Sequence, residues 1–420
     1  MRRSIIKTTR QTTRAFSTTL AQQKNKVYVV GVGMTKFTKP EGSGPYPDLV
    51  KEAGTQALED ARLSYTDIEQ ATAGYVYGDS TQGQRAMYSL GLTGIPIYNV
   101  NNNCSTGSTA IMLMKQLIEG GVVNCGMAVG FEKMKRGALS LDTNPTSNPL
   151  QPHIETMERA TGEPFSKVPP TLQFFGNAGI EHMKKYGSQL EHFGKIAEKN
   201  HGHAKNNPKA QFQSGPNLET IMGSKLVFPP ILTLLQCSPP AEGAGAMVLA
   251  SEKFVKERGL EDRAIELASM HMVTDVEDSF KESAIDVVGT GLSNIAARKC
   301  YDELGIRPEN IDLIELHDCF STNELLTYEA LELTEKGKGH TLVDSGDNTY
   351  GGKWVVNPSG GLIAKSHPLG ATGLAQANEI TQQLRGEAGA RQVENASIGL
   401  QHNIGLGSAC IVGVYKKPDF

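Results

Sequence analysis

None of the six cysteines, at positions 104, 125, 237, 300, 319 and 410, belongs to a C-x-x-C pair. That absence argues against a zinc ribbon and a disulfide framework, and predicts free thiols in a reducing compartment. No apolar run approaches the roughly 20 residues that a membrane-spanning helix requires, so no span is predicted. Asp and Glu are missing altogether from Met1–Pro40, while Arg2, Arg3, Lys7, Arg10 and Arg14 alternate there with Ser and Thr. An acid-free start rich in Arg and hydroxyls has the composition of an organelle transit peptide. Arg14–Ser17 also resembles a matrix-protease site cut after Phe16. Removing residues 1–16 takes the formal net charge from −4 to −9. A chain that acidic excludes nucleic acid as a natural partner. The C-terminal Lys416–Phe420 is not a Ser-Lys-Leu-type peroxisomal address, so the expected location is the mitochondrial matrix, with the peroxisome as the alternative.

What is present is α/β patterning given twice. In the first half, Lys26–Val32 reads as a strand, Asp48–Leu63 as an amphipathic helix, and Ile68–Val76 as a second strand. Ile95–Val100 then reads as a buried strand, Ser105–Glu119 as a helix, and Cys125–Phe131 and Glu242–Ala250 as further strands. In the second half, strand Ile265–Val273, helix Leu292–Leu304, strand Ile311–Leu316, helices Thr322–Leu333 and Thr372–Leu384, and two strands within Ala396–Tyr415 repeat the plan. Ala57–Ile68 and Lys299–Ile311 match in kind: each is a helix end and a polar turn running into a strand that begins with Ile. The repeat predicts two packed α/β halves, each with a mostly parallel sheet. Between them, residues 137–240 are rich in proline and polar residues and show only two clear helices, Gly176–Tyr186 and Leu190–Asn206. The expected division is therefore 1–25 as transit peptide and linker, 26–255 as the first half carrying a loop domain at 137–240, and 256–420 as the second half.

Reactive side chains collect at two strand ends, where open α/β sheets place their sites, and in two further glycine-bearing stretches. Cys104 stands at a strand-to-helix turn, where free amide N–H groups and the helix dipole favour a thiolate. A buried structural cysteine is the competing reading. Leu316–Ser321 brings His317, Asp318 and Cys319 to one strand end. His317 is suited to donate to an oxyanion and Cys319 to transfer a proton, its thiol being within tuning range of neutrality. Asp318 is read as capping the helix that follows. Asn357–Gly373 offers four glycines and His367, which Pro368 restricts to an extended conformation, as a candidate base for Cys104. Gln401–Ala409 is either a backbone oxyanion contact or a plain hairpin turn.

Three stretches make the resemblance: His317–Phe320 followed by Ser-Thr-Asn-Glu-Leu-Leu, Gly346–Trp354, and Asn357–Gly373. From about Lys26 to Lys416 the chain resembles the thiolases, and in particular the sterol carrier protein x type, without that type's C-terminal lipid-transfer domain. The resemblance implies a five-layered α-β-α-β-α fold, usually dimeric or a dimer of dimers. It also implies acyl transfer between a 3-oxoacyl-CoA and CoA, with CoA as substrate and no bound cofactor or metal. Carried over, Cys104 is the acylated nucleophile, His367 its base, His317 an oxyanion donor and Cys319 the acid/base. The N–H groups of Cys104 and Gly405 hold the thioester oxygen. Many thiolases have Asn-Glu-Ala-Phe where His317–Phe320 stands, and a C-terminal cysteine aligned with Asn403. Ser366 departs from the glycine usual before the base. A biosynthetic acetoacetyl-CoA thiolase or a condensing synthase is one alternative reading. A lipid-binding relative without turnover is another, against which the presence of Cys104, His317 and His367 weighs.

Overall fold

A computed structural model describes residues 24–135, 146–166 and 168–420. The proposed transit peptide and part of the proposed loop domain thus lie outside the described residues. The strands are β1 (Val27–Met34), β2 (Gln70–Gly74), β3 (Ile97–Val100), β4 (Cys125–Lys133), β5 (Leu226–Phe228), β6 (Leu232–Thr233) and β7 (Glu242–Ser251). The second half adds β8 (Ile265–Val273), β9 (Leu313–Glu315), β10 (Val355–Val356), β11 (Ile398–Gly405) and β12 (Ala409–Lys416). β5 and β6 form a separate small hairpin.

The other ten strands run in the order β10-β9-β11-β12-β8-β1-β7-β4-β2-β3. This is one five-strand plan used twice, joined where Tyr28 and Val29 of β1 pair with Glu266 and Ile265 of β8. The expectation of mostly parallel halves needs correction. β2 pairs in parallel with β3 and β4, but β4–β7 and β7–β1 are antiparallel. The second half repeats this mixture, with β9 parallel to β10 and β11 while β11–β12 and β12–β8 are antiparallel. The physical reason is connection length. Three residues separate β11 from β12, which permits a hairpin but no crossover.

The helices of the first half are α1 (Tyr46–Asp60), α2 (Gln82–Met87) and α3 (Thr106–Glu119). α4 (Gln151–Thr161), α5 (Pro170–Tyr186), α6 (Leu190–Ala204) and α7 (Leu218–Met222) follow. After α8 (Glu252–Arg258), the second half carries α9 (Ala284–Val287), α10 (Thr290–Leu304), α11 (Ser321–Ala330), α12 (Gly339–Ser345), α13 (Gly361–Lys365) and α14 (Thr372–Arg385). α3 packs against α14 between the halves, and α14 touches strands of both. That shared layer is the third of the five expected, and α14 is accordingly buried nearly all round. The loop region holds more helix than its composition predicts. α4 is not seen by periodicity, although Pro152 in its first turn and the left-handed Gly162 after its last are ordinary boundary signals.

The strand before the nucleophile is also misjudged by its apolar letters. β3 is an outer strand, and Tyr98 and Asn99 in it are exposed. Tyr98, Tyr88 and Leu92 are 49%, 53% and 81% exposed, respectively. Tyr98 belongs to this outer strand, and Tyr88 and Leu92 to the segment between α2 and β3.

Candidate active site

β3 ends in a tight turn, and Asn103 takes φ +50° there. The N–H groups of Ser105 and Thr106 turn back onto the carbonyls of Asn102 and Asn103, at 3.1 Å each. Asn103 Nδ2 donates across to the Leu406 carbonyl at 3.1 Å. Cys104 is thereby presented at the start of α3 and against the β11–β12 turn. Gly405 is close beside it: a Cβ added there would meet the Asn102 carbonyl at 2.3 Å and the Cys104 nitrogen at 3.2 Å. Only glycine permits that approach.

His317 and His367 come from the second half. Cys104 Sγ and ring nitrogens of the two histidines all lie within 4.8 Å of one another, and the imidazoles meet edge to face at 4.9 Å. The sequence shows no metal-ligand spacing, yet the fold gathers these three potential ligands. Asn403 Nδ2 lies 3.1 Å from His317 Nδ1. With Asn403 as donor, Nδ1 accepts and Nε2 carries the proton. Asn323 also donates to the His317 carbonyl. His367 Nδ1 is held by the Thr372 hydroxyl at 2.6 Å, while its Nε2 is buried with no hydrogen-bond partner among the described residues. Burial lowers the pKa of both histidines, that of His367 to about 3, and His317 is lowered further by His367 and His402. Both rings are therefore neutral at pH 7, His367 able to take a proton and His317 able to donate one in a hydrogen bond.

Two electrostatic expectations are overturned. The turn and helix dipole do not make Cys104 a standing thiolate, because burial pushes its thiol up to about 12. Its own backbone N–H pulls the other way and loses, while Glu132 adds to the rise. Burial likewise drives Cys319 well above the ordinary thiol range, with Cys104 and Asp318 adding to it. The 6% exposed Cys319 is thus a protonated thiol at rest, not one tuned to neutrality.

Asp318 is a cap, but of a different helix. It accepts from the N–H groups of Leu362 (2.6 Å) and Ile363 (3.2 Å) in α13, and from Asn200 at 2.8 Å. A Cβ at Gly361 would fall 2.2 Å from this carboxylate. Asp318 therefore fastens the loop carrying His367 beneath His317–Phe320. Past that helix, Ser366 takes φ +95°, ψ 171°. This region is nearly confined to glycine, and the residue is held there at a strain of about 1–3 kcal/mol.

Two cavities flank the reacting groups. One of about 620 Å³ is apolar and is lined by Leu172, Phe212, Leu235, Phe320 and Ile363. It adjoins Cys319, whose carbonyl accepts from the N–H of Ser238 in the same wall at 2.9 Å. The other, of about 410 Å³, lies on the Cys104 side and is lined by Tyr77, Asn101–Asn103, Asn148 and Leu406, among others.

Two family models match the chain: "Thiolase, N-terminal domain" over residues 27–216 and "Thiolase C-terminal domain-like" over 277–415. The chain belongs to the thiolase family. "Sterol carrier protein 2" of Oryctolagus cuniculus is 58% identical over 395 residues, covering 93% of this chain and 72% of the rabbit protein. The "Acetyl-CoA acetyltransferase" of Methanothermobacter thermautotrophicus is 34% identical, covering 93% of this chain and 99% of its own. Among solved structures, the "Ltp2-ChsH2(DUF35) aldolase" superposes with TM-score 0.79 at 20% identity, covering 94% of this chain and 98% of its own, a likeness of fold alone. In this thiolase, every site residue named from the sequence lies around one centre. Sequence reasoning gave no role to Glu132, Asn323, Thr372 or His402; the last three lie inside stretches it singled out, while Glu132 has no motif of its own. Only the contacts mark them: His402 Nδ1 accepts from the His317 N–H at 3.4 Å and its Nε2 meets Ser293 Oγ at 3.0 Å.

Proposed function

We propose that the protein is a 3-oxoacyl-CoA thiolase of lipid metabolism, cleaving its substrate through an acyl-enzyme on Cys104. The observation that carries the reading is the convergence of Cys104, His317 and His367 within 4.8 Å. His367 Nε2 takes the Cys104 proton and the thiolate attacks C3. That proton transfer is needed because the partly buried Cys104 thiol, pushed up to about 12, does not ionise unaided. The C2–C3 bond then breaks, and the electron pair passes to an acetyl-CoA or propionyl-CoA enolate whose oxygen accepts from His317 Nε2–H. Cys319 gives its proton to C2, and the first product leaves. Incoming CoA returns a proton to Cys319, and its thiolate attacks the acyl carbon held at the N–H groups of Cys104 and Gly405. Cys104 leaves as thiolate and regains its proton from His367. The cavity at Phe320 takes the CoA side, since C2 faces Cys319, and the cavity at Asn103 takes the acyl side. Incubation with acetoacetyl-CoA and CoA tests this. Loss of the 3-oxo thioester with two acetyl-CoA formed is the expected result, and binding without turnover would refute it.

Two further assignments accompany this. The unpaired edge of β3, where Tyr98 is exposed, is covered by a second copy of the chain, since an exposed edge strand invites pairing. Sedimentation at micromolar concentration should give a dimer or dimer of dimers, and Tyr98→Lys should shift it toward monomer. The acid-free basic N-terminus directs the chain to the mitochondrial matrix. Residues 1–30 fused to a fluorescent protein should enter mitochondria, and a cytosolic or peroxisomal signal would overturn the assignment.

A further inference from the structure

Cys104 and His367 ride on different halves, so their separation is set by how the halves are held together. At that junction backbone meets backbone. A Cβ at Gly107 would fall 2.7 Å from the Gly370 carbonyl, one at Gly130 would fall 2.0 Å from it, and one at Gly373 would fall 2.2 Å from the Ser108 nitrogen. Glu132, at the end of β4 and 1% exposed, reaches into this contact. Its Oε2 accepts from the N–H groups of Val76 (3.1 Å) and Gly370 (3.0 Å), and its Oε1 from that of Tyr77 (3.0 Å). Gly370 lies inside the turn from His367 to Thr372, and the Thr372 hydroxyl orients His367 Nδ1.

We propose that Glu132 is a positioning residue whose carboxylate clamps the His367 turn to the first half and thereby aims His367 Nε2 at Cys104. This rests on the reading of Cys104 and His367 as nucleophile and base. A direct electrostatic role is unfavourable, because a negative charge at Glu132 opposes a thiolate on Cys104. What the side chain supplies is geometry. Burial raises its carboxyl to about 7 against the pull of the three N–H donors. Those donors are served by two oxygens; an amide has one oxygen and would turn an NH₂ group toward an N–H, so at least one tie is lost.

In the full chain, Glu132→Gln should lower kcat for acetoacetyl-CoA thiolysis by about 10- to 100-fold with KM within about threefold, since small misplacement of a catalytic pair acts mainly on the chemical step. Alkylation of Cys104 by iodoacetamide, which requires no thiolysis, should slow in the wild-type background. In a His367→Ala background the same substitution should change it by less than about twofold, because the group it positions is gone. A kcat within about threefold of wild type, or equal slowing of alkylation in both backgrounds, overturns the proposal. If His367→Ala alone leaves alkylation unchanged, the base assignment itself fails and the proposal with it. Should Glu132→Gln not fold, Glu132→Asp, one methylene short of the span, carries the same expectations.

Discussion

The two halves of this thiolase share a topology but not an interior. In the first half, α3 behind Cys104 buries Ala110, Ile111 and Met114 in one cluster with Ala128, and the polar groups buried near it are mostly the hydroxyls of Ser105, Thr106 and Ser108, with Glu132 as a carboxylate at the end of β4. In the second, the floor beneath His317 and Cys319 is built of acids, lysines and an amide, and burial pushes the Asp318 and Glu315 carboxyls above their ordinary range. Glu315 meets Lys365 at 3.2 Å, Asp318 and Glu324 share Asn200, and Lys199 pairs with Glu324, all of them buried or nearly so. A nucleophile needs only a turn that presents it. Neutral histidines and a protonated thiol need fixed tautomers and orientations, which apolar packing does not specify and buried hydrogen bonds do. The duplicated fold thus divides the labour: one half offers the reacting atom, and the other supplies the proton-handling groups with their polar scaffold.

The sharpest break in this comparison is on the side of the nucleophile. Cys104→Ala should reduce thiolysis by more than about 10⁴-fold while leaving the melting temperature near wild type, since one sulfur at a loop is lost. Acetyl-CoA should add one acetyl mass to the wild-type Cys104 peptide, and label on Cys319 or Cys125 would reassign the nucleophile. On the other side, Cys319→Ala should keep acylation of Cys104 yet lose about 10²–10⁴-fold in C–C cleavage, the usual range for a positioned acid/base group. Deuterium exchange at C2 of acetyl-CoA should vanish in this variant and persist in Cys410→Ala, because Cys410 is buried in β12, where its thiol donates to the Ser293 hydroxyl at 3.4 Å.

The scaffold itself is tested by stability. Lys365→Met leaves the Glu315 carboxylate buried without its partner and should cost about 3–5 kcal/mol. In the first half, Ala128→Gly removes only a methyl from a strand and should cost about 1 kcal/mol, both read by denaturant unfolding. Ser366→Gly should act in the opposite direction. Relief of backbone strain outweighs the lost Ser366–Gln211 hydrogen bond (3.1 Å) and the added chain entropy, for a net stabilisation of about 1 kcal/mol. A loss of stability there would show that the serine hydroxyl dominates the site.

The smallest expected effect is on pH dependence. Burial lowers the pKa of His203 from 6.5 to about 3, with its ring held by the Asn357 carbonyl and the Thr349 hydroxyl. Below pH 6.5 the unfolded chain binds a proton that the native ring refuses. Stability from this group is therefore present above pH 6.5 and lost as pH falls toward 3. His203→Gln should make the decline of melting temperature between pH 7 and pH 5 shallower; an unchanged slope would place the acid sensitivity in the site histidines.

By itself, the sequence determined the duplicated α/β plan and the identity of the reactive groups. Strand periodicity is local, and a cysteine, a histidine and a second cysteine at strand ends, with another histidine in a glycine-rich loop, have few other uses together. Ser366 was legible as a departure too, and its left-handed backbone shows why glycine is the easy residue there. What only the tertiary structure decided follows from burial and from contacts between distant segments. β3 has apolar letters but ends the sheet, because no strand among the described residues pairs with its far edge. Asp318 has a helix directly after it, yet caps one more than forty residues on, because α13, packed against α6, brings the N–H groups of Leu362 and Ile363 onto its carboxylate. The thiols of Cys104 and Cys319 are pushed up, not down, because the desolvation that closes the site outweighs the local dipoles that sequence position implies. Glu132 is one carboxylate in a strand until Gly370 arrives from 238 residues away to share it.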